Sequence, residues 1–182
     1  MISLNSSGIE SASAPQRRVE VLRSVYGHFS YTEWSACAQQ LGIRIYCAAR
    51  QFCGAFLLDR VMLIPSNVPP SVIALYAWHE LGHAILHMGN REYIRKVTIG
   101  GEYTLRRFER QAWEFALAFP VWDSDALEAA ITEIAAQGSV PDGLAAALAA
   151  ACDVPPWLVE MVAREPRGSR HENNRMVPHE PR

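Results

Sequence analysis

Residues 79–83 read His-Glu-Leu-Gly-His inside a long apolar segment. It starts after Ser66-Asn67-Val68-Pro69-Pro70-Ser71 and ends at Met88-Gly89-Asn90. Its apolar residues run all the way around a 3.6-residue helix, which predicts a helix buried on every side. Few patterns constrain a fold more, because other elements must then pack around it while it carries two imidazoles and a carboxylate inside. Ser66 or Asn67 can cap its start, the prolines suit a first turn, and Gly89 or Asn90 suits its end. Gly82 in mid-helix costs about 1 kcal/mol against Ala, so close approach by another backbone or a ligand is expected there.

On a helix, His79 and His83 share one face about 6 Å apart along the axis. Both rings can then reach one Zn²⁺, with Glu80 between them as general base for a water at the metal. The five-residue string also arises by chance, so a third ligand has to be found. A hydrolytic zinc takes three protein ligands and keeps one position open. His87 continues the stripe, but it lies about 12 Å from His79 along a straight helix, so it reads as packing or outer support. A metzincin would need His ten positions after His79, where Gly89 stands.

A further helix is expected from Thr104 to about Phe119, stopped by Pro120. Its apolar stripe is Leu105, Phe108, Ala112, Phe115, Ala116 and Phe119, and Glu109 falls within it, whereas Glu114 falls on the arginine-bearing side. A carboxylate turned toward a core is costly unless paired or bound to a metal. Alone, Glu109 could serve an ordinary salt bridge to an arginine. Beside a helical His-Glu-x-x-His, metal ligation is the better reading, with Glu102 in an expected loop as the weaker alternative.

The rest of the chain supplies a frame. A helix is expected from Gln16 to Tyr26, ended by Gly27, and a second from the capping-box sequence Ser30-Tyr31-Thr32-Glu33 to Leu41. Ile43 to Tyr46 reads as a strand. Ala55–Leu58 and Val61–Ile64 read as an antiparallel hairpin turning at Asp59-Arg60. Helices are expected over Asp123–Ala135, Pro141–Ala151 and Pro155–Arg164, and Tyr93–Ile99 is a possible strand. The fold class is therefore α+β, mainly helical with a small antiparallel sheet.

The expected organisation is a disordered stretch over 1–14, a metallopeptidase domain over 15–120, a helical subdomain over 121–166 and a disordered tail over 167–182. The 121–166 subdomain resembles a helix-turn-helix but is expected to pack rather than read DNA. Its would-be recognition helix starts Pro155-Pro156-Trp157, without the Arg, Lys, Asn or Gln that base readout needs. A net charge of −2 argues against nucleic acid or an anionic membrane as partner. No run of about 20 apolar residues suggests a membrane span, and nothing resembles a secretory signal. The four cysteines, Cys37, Cys47, Cys53 and Cys152, form no Cys-x-x-Cys pair. Buried free thiols in a reducing cytoplasm are the expectation.

His-Glu-Leu-Gly-His-x-x-x-His at 79–87, followed by Glu109-x-x-Ala112-x-x-Phe115-Ala116 and Pro120, resembles the ImmA/IrrE metallopeptidases. The resemblance spans roughly residues 15–165. It implies one zinc on His79, His83 and Glu109, Glu80 as catalytic base, and a gluzincin-like pairing of the His helix with a downstream Glu helix. It also implies a protein substrate, typically a helix-turn-helix transcriptional repressor in a mobile-element or stress-response switch. The chain departs from the family where Glu-x-Glu-Ala-Asn is usual, reading Glu109-Arg110-Gln111-Ala112-Trp113, which bears first on the shape of the substrate cleft.

Zinc-dependent endopeptidase activity follows as the expectation. Tyr103, Tyr93 and His87 are candidates to steady the oxyanion, and Val61–Ile64 to pair with an extended substrate. The competing expectation is a non-catalytic, metal-stabilised regulator that sequesters the repressor. Glu80 argues against it, because a structural zinc needs no base.

Overall fold

A computed structural model describes residues 14–48, 55–58, 60–87, 102–137, 140–141, 143–151 and 159. Among them are six α-helices: α1 (Ala14–Tyr26), α2 (Trp34–Gln40), α3 (Pro70–Leu86), α4 (Glu102–Ala118), α5 (Ser124–Ala136) and α6 (Leu144–Ala150). Three strands, β1 (Arg44–Ala48), β2 (Phe56–Leu58) and β3 (Val61–Pro65), form one sheet in the order β1-β3-β2. The fold is α+β and mostly helical, as its patterning predicts.

The sheet differs from expectation in two ways. β2 and β3 do form the antiparallel pair, with Leu57 opposite Met62, but β1 joins β3 in parallel, with Ile45 opposite Met62. The sheet is mixed rather than antiparallel. β3 is therefore the central strand, so Val61–Ile64 has no free edge for a substrate, and β2 and β1 form the edges. Alternation explains why β3 belongs in the middle. Met62 and Ile64 point inward and are buried, while Leu63 faces outward and is partly exposed.

α3 is the central helix. From Val72 to His83, every residue except Ile73 and Glu80 is buried, which is the all-round burial its composition demands. Its N-cap position is Pro69 rather than Ser66 or Asn67, and Pro70 opens the first turn, where a missing N–H costs nothing. The described helix ends at Leu86, and the proposed end at Gly89-Asn90 lies outside the described residues. Trp78 anchors the helix to the loop before α2 by donating its indole N–H to the Tyr31 carbonyl at 2.8 Å. Before α2, Glu33 reaches back as expected, its carboxylate accepting the Ser30 backbone N–H at 2.7 Å and the Ser30 hydroxyl at 2.8 Å.

α4 packs along α3 through its apolar stripe, with Phe108, Ala112, Phe115 and Ala116 buried. It begins at Glu102, so Glu102 opens a helix instead of lying in a loop. α3 and α4 approach closely at Gly82. A Cβ there would stand 3.0 Å from the Ala112 carbonyl oxygen and 3.1 Å from its Cα. The glycine is thus explained by backbone approach, as its position mid-helix suggested.

α5 and α6 contribute to the same core, through Ala130, Ile131 and Ile134 and through Leu144, Ala147 and Leu148. Asp123 caps α5 by accepting from the Ala126 N–H at 3.0 Å. Gly143 before α6 has φ +89°, and a Cβ on it would lie 2.9 Å from the Arg110 nitrogen. Only glycine suits both the left-handed conformation and that contact. Arg23 on α1 closes the other end of α4, donating to the Ala118 and Phe119 carbonyls at 2.9 and 3.0 Å. The Tyr93–Ile99 strand, nearly all of the 155–164 helix, Cys53, Cys152 and both termini lie outside the described residues.

Two predictions follow from this packing. Gly82→Ala should lower Tm despite the roughly 1 kcal/mol of helix propensity it gains. The overpacked backbone contact costs about 1–3 kcal/mol, and thermal unfolding measures the balance. The Ser30 N–H, and then the Ser30 hydroxyl, hold the Glu33 carboxyl below its ordinary value. Its stabilising contribution is present above the ordinary carboxylate pKa and lost as pH falls through the lowered one. Acid unfolding of Glu33→Gln should lack that component, which paired pH titrations of Tm would reveal.

Candidate metal centre

The α3–α4 crossing brings two histidines of one helix against one carboxylate of the other. His79 Nε2 lies 3.2 Å from Glu109 Oε2, and His83 Nε2 lies 3.4 Å from Glu109 Oε1. The two Nε2 atoms are 3.2 Å apart. His79 and His83 are 5% and 6% exposed, and Glu109 is partly buried.

Two imidazole nitrogens and the two oxygens of one carboxylate face one another, and their spacing suits a small cation. Tetrahedral zinc with nitrogen and oxygen ligands about 2.0–2.2 Å away sets those ligands about 3.3–3.5 Å apart. The observed separations of 3.2–3.4 Å match this with little movement. Among the described residues, these three form the one group of three or more His, Cys, Asp or Glu residues able to hold a metal ion. The donor set, two imidazoles and a carboxylate, suits Zn²⁺ and other divalent transition metals alike.

Electrostatics prepare the ligands. Burial pushes the His79 imidazole down to about 4 against the opposing pull of Glu109, so it is neutral near pH 7 and keeps a lone pair. Burial by itself would raise the Glu109 carboxyl. Hydrogen bonds from His79 and His83, together with their charge, outweigh that effect and hold it well below the usual carboxylate range. Glu109 is therefore an ionised acceptor aimed at two rings. The alternative of an arginine partner goes instead to Glu114, which pairs with Arg110 at 3.3 Å.

Glu80 takes no part in the ligand cluster. Burial, the largest influence, pushes its carboxyl up to about 7, with Glu109 pushing the same way and His83 opposing. The backbone N–H of Leu57, on edge strand β2, donates to it. The base candidate thus stands on α3 between the two histidines and is tied to the sheet as well.

His87 is 2% exposed and sits behind His83, its Nδ1 3.0 Å from His83 Nδ1 and its Nε2 3.2 Å from Gln111 Oε1. That places it on the side of His83 away from the ligand atoms, as outer support and not as a ligand. The same position removes it as a candidate for steadying an oxyanion. Tyr93 and the side chains of Tyr103 and Glu102 lie outside the described residues.

Two residues gain roles that sequence reasoning missed. Trp113 stacks on His79 with ring centroids 3.9 Å apart and planes 30° apart, and Gln111 engages His87. Both touch the histidine array. The Trp113 contact was available from spacing, since Trp113 follows Glu109 by four on one helix face. The Gln111 contact was not, because it depends on the crossing angle.

Comparison with protein-family models, with curated proteins and with solved structures gives no match in any of the three. No helix among the described residues is long and apolar enough to cross a membrane.

Glu109→Ala removes one of three ligands and should weaken zinc binding by at least about 100-fold, read by chelator competition. Full affinity in that variant would shift the third ligand to Glu102.

Proposed function

We propose that this protein is a zinc-dependent endopeptidase whose metal is held by His79, His83 and Glu109. The observation that carries the reading is the convergence of two imidazole nitrogens and one carboxylate at 3.2–3.4 Å, with the helix-borne carboxylate of Glu80 beside them. A structural zinc site is normally closed by four Cys or His ligands. Here three ligands and one separate, partly buried carboxylate fit an open, hydrolytic arrangement better.

When bound, Zn²⁺ supplies Lewis acidity toward the scissile carbonyl and makes water acidic near pH 7. The chain's residues do the rest. Glu80 accepts a proton from the attacking water as its oxygen bonds to the carbonyl carbon. The carboxylic acid so formed then delivers that proton to the amide nitrogen as the C–N bond breaks, which regenerates the carboxylate. Burial matches Glu80 to this two-way role, because a group with a pKa near 7 both takes and gives a proton near neutral pH. The Leu57 N–H steadies the carboxylate from β2.

β2 replaces β3 as the strand proposed to align an extended substrate, being the edge strand that touches Glu80. The substrate class is carried by the family resemblance: a helix-turn-helix repressor, cleaved in the cytoplasm to relieve repression.

The test is cleavage of a co-encoded repressor by wild type and Glu80→Gln, with metal analysis of both. Zinc should be retained in the variant and cleavage should fall by about 10²–10⁴ or more. Equal cleavage by the two proteins overturns the mechanism. Metal-bound wild type that binds the repressor without cutting it would instead make the protein a sequestering regulator.

A further inference from the structure

We infer that Trp113 is a positioning residue, a flat buried wall that holds the His79 ring in the plane its metal-facing nitrogen needs. The inference rests on the metal-site reading above and adds one residue to it.

α3 and α4 pass one another in opposite directions, so later residues of α4 meet earlier residues of α3. Phe108 lies against His87 with ring centroids 4.8 Å apart, Glu109 faces His83 and His79, and Trp113 meets His79 and Tyr76. Trp113 follows Glu109 by four residues, so one face of α4 carries both the third ligand and the wall. The indole stacks on His79 with centroids 3.9 Å apart and planes 30° apart, and Tyr76 meets it edge-on at 5.8 Å. At 1% exposure, and between two rings of α3, the indole has little room to turn away from the imidazole.

Hydrogen bonds do not supply this hold. Among the described residues, His79 Nδ1 is buried with no hydrogen-bond partner, so nothing polar fixes that side of the ring. His83 differs, with His87 Nδ1 3.0 Å from its own Nδ1. The Trp113 indole nitrogen is likewise buried without a partner among the described residues. A buried tryptophan normally pairs its N–H, and leaving it unpaired is unfavourable, so what the indole contributes here is its flat face. Rotation about the His79 Cβ–Cγ bond would tip the ring and turn Nε2 away from His83 Nε2 and Glu109 Oε2, each 3.2 Å from it. The stacked indole opposes that rotation, whichever ring nitrogen carries the proton.

Three variants of the full chain separate this role from plain packing. Trp113→Leu removes the flat face and Trp113→Phe keeps one. Phe119→Leu is the control, because it removes an equally buried stack, on Phe115 at 4.5 Å, that touches no histidine. The measurements are Tm, Zn²⁺ affinity by chelator competition, the visible absorption of the Co²⁺-loaded protein, which reports ligand geometry, and proton NMR of the metal-free protein. Trp113→Leu should bind zinc about 3–10-fold more weakly than wild type, with altered Co²⁺ bands. Trp113→Phe should stay within about twofold of wild type, with unaltered bands. Phe119→Leu should lower Tm yet also stay within about twofold in affinity. In wild type the indole should shift the His79 ring protons upfield, and Trp113→Leu should abolish that shift.

Wild-type affinity in Trp113→Leu would overturn the inference, as would equal losses in Trp113→Leu and either of the other variants. Should Trp113→Leu not fold, Trp113→Met, which fills more of the space without a flat face, is judged by the same criteria. If wild type binds neither zinc nor cobalt, the metal reading falls. The metal-free NMR then decides alone: His79 protons upfield only where residue 113 is flat support the wall, and equal positions in wild type and Trp113→Leu overturn it.

Discussion

Everything near the site depends on how closely α3 can lie against α4. Two histidines on one helix and one glutamate on another make a three-ligand cluster only if the two backbones almost touch. Gly82 permits that by presenting no side chain to Ala112, whose carbonyl oxygen would meet a Cβ at 3.0 Å. Gly82, three residues after His79 and one before His83, puts a close backbone approach inside the candidate metal site. A second glycine works from outside. Gly143 lets the start of α6 press on the backbone of Glu109 and Arg110, fixing the ligand from behind.

Around that crossing, the candidate ligands and the candidate base all stand on helices, the base sharing α3 with both histidines and held in addition by the Leu57 N–H of edge strand β2. Burial then sets the chemistry. It keeps His79 neutral and Glu80 near the point of exchanging a proton, while two imidazole partners keep Glu109 ionised despite the same desolvation. Similar carboxyl groups on neighbouring helices are therefore pushed in opposite directions, Glu109 down and Glu80 up.

Behind the ligands, Trp113 and Gln111 support the histidines in different ways. Trp113 stacks on the His79 ring, and His87, itself against Gln111, stands behind His83.

Much of this was legible along the chain. Helical periodicity located the His-Glu-Leu-Gly-His segment on a buried helix, because apolar residues on every side leave no solvent face. It also located Glu109 on an apolar stripe, where an unpaired carboxylate is too costly to be incidental, and it marked Gly82 as a point of close approach. Such inferences use spacing within one element, and spacing within one element is a local property. Strand order was not legible: β1–β3 parallel pairing and the central place of β3 depend on how separate segments are brought together. The same holds for Leu57 beside Glu80, for the Gln111–His87–His83 contacts, and for Gly143 against Glu109. Each joins residues on different elements, so it is set by crossing angle and register, which local periodicity does not encode.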